Sequence, residues 1–432
     1  MKLFADRMRN LGSENAFKVG DDIRRCEQLG QKVIRFNLGE PDFNSADFIN
    51  RVAVEHINRG NSHYCPPAGL ESLRKAVARQ LSETRGIEID PELVVVTVGA
   101  KPPIGYALMT YANPGDEVIY PSPGFPIYES WITYMGAKPV PLHLDEAKGF
   151  SFTAEELEKL ITRKTKLIFI NSPSNPTGGV LEEEEMKKIA AVIKRKCHES
   201  VRVYSDEVYE HIVFDGGKHH SIASQPGMLS RTVIVSGHSK SYAMTGWRLG
   251  YAVLPTAEEA AVFKNLNINN FSCTPPFIQE AGREALQHAD STNVVKQMVD
   301  EFEKRRNYVI QALNDIQGIG CAKPKGAFYA FPNIAGACEN LGIIEKYNKL
   351  PKVKAERTTP STLFQRFLLY KHGVATMDRR SFGQIGTKGK HYLRISMATD
   401  MDSLKEGITR LQNAVQDRDG FASFLKEDKY VF

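Results

Sequence analysis

Lys240 stands in a small polar loop at the end of an apolar run, Thr232 to Val235. Arg248 follows between Trp247 and a second apolar run, Leu249 to Leu254. A lysine fixed at a strand end can condense with a carbonyl to form an imine, and a guanidinium held close by can neutralise a dianionic phosphate. Together they are the equipment for holding pyridoxal phosphate as a Schiff base. Other polar residues have two readings each. Asp206 ends the run Val203-Tyr204-Ser205-Asp206 and taken alone is a helix N-cap. Tyr209 is by default a core aromatic, Asn175 before Pro176 a turn residue, and Phe125 a loop anchor. Arg394 lies in an apparent strand, where burial costs desolvation unless the guanidinium is paired. That partner is either a ligand carboxylate, gripped by both arms of the fork, or an internal acid. Gly99-Ala100-Lys101-Pro102-Pro103 follows a strand and opens a helix, where backbone N–H groups cradle phosphate and proline fits the first turn.

Positioning such residues takes strand ends. Short runs rich in Val, Ile and Tyr predict strands at Leu93–Val98, Glu117–Tyr120, Leu167–Asn171, Val201–Ser205, Thr232–Ser236 and Gly250–Leu254. Helical patterns lie between them at Leu70–Glu83, Ala154–Ile161 and Glu182–Lys196; the last has acids in its first turn and bases in its last, as the macrodipole favours. Repeated strand–helix units imply an α/β fold with a mostly parallel sheet covered on both faces, and ligands bind beyond the strand C-termini. After about Asn293 the pattern changes. A charged helix over Val294–Asp315, strands at Phe328–Phe331, Val374–Thr376 and Tyr392–Ser396, and helices at Thr362–Lys371 and Ser403–Gln416 read as a smaller α+β domain. The lysine-rich segment Glu345–Thr362, with two prolines, reads as a surface excursion.

The 432 residues, 42% hydrophobic and 25% charged, suit a large soluble globular protein of two or three domains. A net charge of +5 spread along the chain argues against nucleic-acid binding. Six separated cysteines without CxxC spacing argue against a disulfide framework or zinc site and suit a reducing compartment. No stretch has signal-peptide or membrane-span character, so a cytoplasmic protein is expected. His219, His220 and His238 have no partner at metal-ligand spacing, and no metal is expected.

The stretch SKSYAMTGWRLGY (239–251) resembles the lysine signature of the class I aminotransferases of fold type I. The likeness continues in the family's order through LGEPDF (38–43), HYCPPAGL (63–70), TVGAKP (97–102), NPGDEVIYPSPGFPIYES (113–130), NSPSNPTGG (171–179), YSDEVYE (204–210) and LRISMAT (393–399). The resemblance implies an N-terminal arm with the first part of a small domain (1–45), a large pyridoxal-phosphate-binding domain (46–300) and a small C-terminal domain (301–432). It implies that Lys240 carries the Schiff base and afterwards moves the substrate proton. Asp206 pairs with the pyridine nitrogen, Tyr209 and Asn175 hydrogen-bond the phenolate oxygen, Phe125 stacks on the ring, and Ala100, Lys101 and Arg248 serve the phosphate. Tyr64 resembles the tyrosine that reaches the phosphate of a neighbouring subunit, which implies a homodimer with shared sites. Arg394 and Gly39, with Asn175, hold the substrate α-carboxylate. The family often has serine where this chain has Gly237, with Ser236 and Ser239 nearby.

The expected activity is ping-pong transfer of an amino group from an L-amino acid to a 2-oxo acid. Lys101 favours aspartate with 2-oxoglutarate, since a lysine at that position in some relatives reaches a distal carboxylate. Two features point the other way. Ser13-Glu14-Asn15-Ala16-Phe17 stands where such relatives have small hydroxyl residues, and Glu14 would repel an acid if it faced the pocket. Met377-Asp378-Arg379-Arg380-Ser381-Phe382 replaces a Pro-Gly loop, with arginines that recruit a carboxylate or, on balance, face solvent. The alternatives are neutral or aromatic donors, or a lyase or oxidase on the same fold. A ligand-sensing regulator would need a DNA-binding region, and no helix-turn-helix precedes LGEPDF. An NAD enzyme would need a GxGxxG after its first strand.

Overall fold

The computed structural model describes residues 3–12 and 14–427, with nothing to be said of the Phe17 side chain. Twelve strands are found among these residues: β1 (Ile34–Arg35), β2 (Val94–Thr97), β3 (Glu117–Ser122), β4 (Lys138–His143), β5 (Thr165–Asn171), β6 (Arg202–Asp206), β7 (Thr232–Gly237), β8 (Gly250–Val253), β9 (Tyr329–Ala330), β10 (Val374–Ala375), β11 (Met377–Asp378) and β12 (Leu393–Ser396). Seven form one sheet in the order β2-β8-β7-β6-β5-β3-β4. Only β8 runs against its neighbours. Central strands β5 to β8 are buried almost throughout, because helices cover both faces, and they read as continuous Val, Ile, Phe and Tyr runs.

The six strands expected in this half are present, with ends that differ by up to two residues. Sequence reading missed β4, Lys138-Pro139-Val140-Pro141-Leu142-His143. Two prolines demote a run as a strand, yet β4 lies at the sheet edge and pairs only with β3, where missing N–H donors are tolerated.

The smaller α+β domain has a three-stranded sheet, β11-β12-β9, and the parallel pair β1-β10. Ile34 and Phe36 join Val309, Leu313, Phe364, Phe367, Leu393 and Leu411 in one apolar cluster, so the chain enters this domain before building the large one. The helix Ser291–Asn314 belongs to both: Met298 and Phe302 pack with Tyr209 and Phe328, while Val309 and Leu313 enter the small-domain core.

The 345–362 segment lies at the surface through Arg357 and then turns inward. It holds the end of a helix, Ile343–Asn348, and a short helix, Lys352–Ala355, while Thr358, Pro360 and Ser361 are buried and the helix Pro360–His372 has begun. Thr359 caps that helix by accepting from the Thr362 N–H, a local bond that ends the excursion early.

Candidate active site

Ten of the eleven residues singled out from the sequence line one cleft of about 400 Å³: Gly39, Ala100, Lys101, Phe125, Asn175, Asp206, Tyr209, Lys240, Arg248 and Arg394. Parallel strands bring them together. Asn171 and Asp206 end the adjacent strands β5 and β6, and Lys240 follows the end of β7. Tyr64, the eleventh, does not line the cleft of its own chain; it is 88% exposed.

Lys240 donates its ammonium to the Gly39 carbonyl and lies 5.8 and 5.9 Å from the ring centres of Phe328 and Tyr209. Burial pulls its pKa down to about 8; Arg394 and Arg248 act in the same direction, and Glu14 and Glu40 oppose it. A buried lysine held this low supplies far more neutral amine near physiological pH than an ordinary lysine does.

Asp206 is buried, and its two hydrogen-bond donors are neutral: the Tyr128 hydroxyl and the Val208 N–H, at 3.3 Å. The second is the local turn that N-cap reasoning anticipates; it coexists with a carboxylate that lines the cleft. Burial raises the Asp206 pKa to about 6. A carboxylate in this condition suits a cationic ring nitrogen, which would supply the missing countercharge.

Tyr209 shares a 2.7 Å hydrogen bond with the Tyr329 hydroxyl. Burial lifts its pKa well above the ordinary value, so it stays a hydroxyl donor. Asn175 donates its N–H to Asn171 Oδ1 at 3.0 Å, and its own Oδ1 accepts from Arg394 at 3.0 Å. That contact leaves the Asn175 amide NH2 as the end able to donate elsewhere.

Arg394 sits on β12 with its fork divided between Asn175 Oδ1 and the Asn37 carbonyl, at 2.6 Å. Its face lies 4.5 Å from the Tyr329 ring centre and 4.9 Å from that of Phe382. Both hydrogen-bond acceptors are uncharged and Nε has no hydrogen-bond partner, so this buried cation is not spent on an internal acid. It fits a carboxylate ligand.

The loop expected to cradle phosphate lies against glycines. Gly99 has φ +85°, and a Cβ there would lie 2.3 Å from the Arg248 guanidinium. Gly237 faces Gly250 across β7 and β8. A Cβ on Gly250 would meet Ala100 N and Gly99 C at 2.5 Å. The paired glycines therefore let the loop that opens the helix Pro102–Tyr111 lie flat on the strands, with Arg248 over it. Gly237 has no room for serine. Ser236 turns away and donates to Glu210 at 2.8 Å, whereas Ser239 lines the cleft.

Several contributors escaped sequence reading. Tyr128 holds Asp206, Tyr329 holds Tyr209, and Asn171 positions Asn175. Each looks like an ordinary strand or helix residue until the elements are assembled. Behind the cleft, Arg85 pairs with Glu207 at 2.7 Å and with Glu210, and His219 lies 3.1 Å from Glu207. His238 is buried against the Gly282 carbonyl, where burial lowers its pKa to about 4. Among the described residues no group of three or more His, Cys, Asp or Glu could hold a metal.

Two expectations about the substrate end change. Arg379 does not face solvent: it is 2% exposed and donates to Ser122 Oγ and to the carbonyls of Phe382 and Gly383. Neither it nor Arg380 lines the cleft. Glu14 does line it, and its carboxylate lies 2.7 Å from Lys101 Nζ. Ser13 lies outside the described residues.

A family model described as aminotransferase class I and II matches residues 31–411. Over 417 residues the chain is 36% identical to the probable aspartate/prephenate aminotransferase of Aquifex aeolicus, covering 96% of this chain and 99% of that one. It is also 36% identical over 403 residues to aromatic-amino-acid aminotransferase 2 of Thermococcus litoralis, covering 92% and 96%. The crystal structure of the aspartate aminotransferase from Rhizobium meliloti superposes with a TM-score of 0.86 at 33% identity, covering 97% of this chain and 100% of that chain. Fold, cleft and family match lead to one conclusion: the chain belongs to the class I and II aminotransferases and is a transaminase.

Proposed function

We propose that Lys240 makes the covalent link to pyridoxal phosphate in this cleft, and that the enzyme moves the amino group of aspartate to 2-oxoglutarate in two half-reactions. The observation that carries the reading is Arg394: a buried cation with neutral partners and an orphan Nε, in the same cleft as a lysine of depressed pKa. Bound there, the cofactor supplies an aldehyde carbon for the amine and an electron-poor ring that takes up the electrons of the substrate Cα–H bond. Asp206 keeps the ring nitrogen protonated, its burial cost offset by the opposite charge. Tyr209 and Tyr329 share one hydrogen bond; with Tyr329 as its donor the Tyr209 proton would be left for the phenolate oxygen, with the Asn175 amide donating beside it. Phe125 would cover the ring. Arg248 and the amides of Gly99 to Lys101 would hold the phosphate. Arg394 holds the substrate α-carboxylate, with Gly39 alongside. Lys240, as a free amine, would move the substrate Cα proton as a general base and acid.

Lys101 supports a dicarboxylic donor and acceptor, since it is the lining cation left over once Lys240, Arg248 and Arg394 have their roles. A second reading, neutral or aromatic donors, is favoured by the Glu14–Lys101 pair, which has no net charge. The same proposal includes a cytoplasmic homodimer in which Tyr64 completes the phosphate site of the partner subunit, and a division of the chain at residues 1–45, 46–300 and 301–432. Support comes from the exposure of Tyr64, the helix shared by both domains and the six free cysteines. No helix among the described residues is long and apolar enough to cross a membrane.

A panel of amino donors with 2-oxoglutarate tests the substrate. Aspartate and glutamate are expected to react faster than alanine, leucine and tyrosine; equal or slower rates reject the dicarboxylate reading. Keto-acid formation without an acceptor would mark a lyase, and oxygen consumption an oxidase.

A further inference from the structure

Glu14 precedes the helix Asn15–Gln28 in extended conformation, φ −77° and ψ 106°, and makes no side-chain hydrogen bond to the helix. A residue in that place ordinarily spends its side-chain oxygen on the unpaired amides of the first turn. Glu14 instead reaches across the cleft to Lys101, the residue that opens the helix Pro102–Tyr111. The two side chains keep 43% (Lys101) and 23% (Glu14) of their exposure, and the ammonium lies 5.7 Å from the Phe125 ring centre.

The frame that carries Glu14 is tied to the substrate anchor. The Ala16 carbonyl accepts from Asn37 Nδ2 at 3.2 Å, and the Asn37 carbonyl accepts from Arg394. Asn15 donates to Ser381 Oγ at 3.1 Å. The Glu14 carboxylate therefore belongs to the wall that holds Arg394, and it occupies the place on Lys101 that a substrate's distal carboxylate would take.

We infer that Glu14 is the residue that sets side-chain preference, by standing on Lys101 as an internal substitute for the distal acid of the substrate. The inference rests on the proposed role of Lys101 in binding that acid. A dicarboxylate must break the pair and send Glu14 into water before it gains Lys101. A neutral or aromatic side chain leaves the pair whole and lies against the apolar stems of Lys101 and Glu14. Specificity is a difference of affinities, so this cost, charged only to acids, narrows the gap between the two substrate classes. A half-exposed ion pair is weak, which lets an acid displace Glu14 without being excluded.

The test uses the purified holoenzyme and two probes that cannot react, maleate and 3-phenylpropionate, titrated calorimetrically into wild type, Glu14→Gln, Lys101→Met and the double variant. Glutamine keeps the length of the side chain, and matching melting temperatures check the fold. Glu14→Gln is expected to raise maleate affinity relative to 3-phenylpropionate by up to about fivefold, as loss of one competing surface charge allows. The gain is expected to vanish in the Lys101→Met background. An unchanged or lower ratio in Glu14→Gln overturns the inference. So does a gain that persists without Lys101, or failure of either probe to bind any form. Because the probes need no turnover, absence of aspartate transamination would count against the proposed donor alone.

Discussion

A carboxylate buried with only neutral hydrogen-bond donors is stable in its acid form, and Asp206 is in that position until a cation pairs with it. The raised folded-state value of about 6 means that ionisation opposes folding. The penalty is absent below the unfolded-state pKa, grows as pH rises between the two values, and is complete above the folded one. Cofactor-free Asp206→Asn is therefore expected to be more stable than cofactor-free wild type at pH 8, by on the order of 2–3 kcal/mol, and the gap is expected to shrink towards pH 5. Denaturant unfolding of both proteins across that range checks it; a gap that is constant or widens at low pH contradicts the account. Lys240 has the opposite chemistry. Its depressed pKa makes the reactive amine available early, so the rate of cofactor capture by the stripped protein is expected to rise with pH around a midpoint near 8. Stopped-flow absorbance gives that midpoint, and a value near that of an ordinary lysine would show that burial does not act on this amine.

At the scale of elements, glycine at two facing strand positions allows the loop Gly99–Lys101 to touch the sheet. A Cβ at Gly237 would lie 2.9 Å from the Leu249 carbonyl oxygen and 3.0 Å from Gly250 Cα, both backbone atoms that cannot swing aside. Introducing the serine common in the family, Gly237→Ser, is expected to destabilise the protein by about 1–3 kcal/mol and to weaken cofactor binding. Thermal unfolding and equilibrium dialysis measure the two effects. Tighter cofactor binding in the variant would show that the loop has slack that the backbone contacts deny. The departure at this position is thus a matter of space: β7 and β8 approach too closely there for a side chain, and Ser239 is the hydroxyl that lines the cleft instead.

For the whole molecule, the open question is what meets Tyr64. A site completed by the partner subunit's tyrosine can be rescued by subunit exchange. Homodimers of Lys240→Met lack the amine, and homodimers of Tyr64→Ala are expected to hold cofactor weakly. In a mixed dimer one site carries both defects and the other neither. With random exchange, about half the dimers are mixed and half their sites intact, so limiting cofactor should restore about a quarter of wild-type activity. Activity that stays at the sum of the two separate variants would show that each chain works alone.

Collinear motifs were enough to identify the family, and ten of the residues that line the cleft were legible as well. Lys240, Asp206, Asn175 and Arg248 stand at strand ends or in short loops, where local sequence fixes both the turn and the chemical group. Unbroken apolar runs also located the central strands of the large sheet, but their order, β2-β8-β7-β6-β5-β3-β4, was decided by the tertiary structure. Side chains whose role depends on a partner far along the chain were not legible. Tyr128 and Asp206 are 78 positions apart, Tyr209 and Tyr329 are 120, and Glu14 and Lys101 are 87. Nothing in the neighbourhood of Glu14 reveals whether its charge faces water or Lys101, and the same is true of Arg379, expected at the surface and found buried. Local patterns record what a segment does with its own backbone and its nearest neighbours. Which charges meet across a cleft is settled only when the domains close around it, because pairing depends on distance in space and not on separation along the chain.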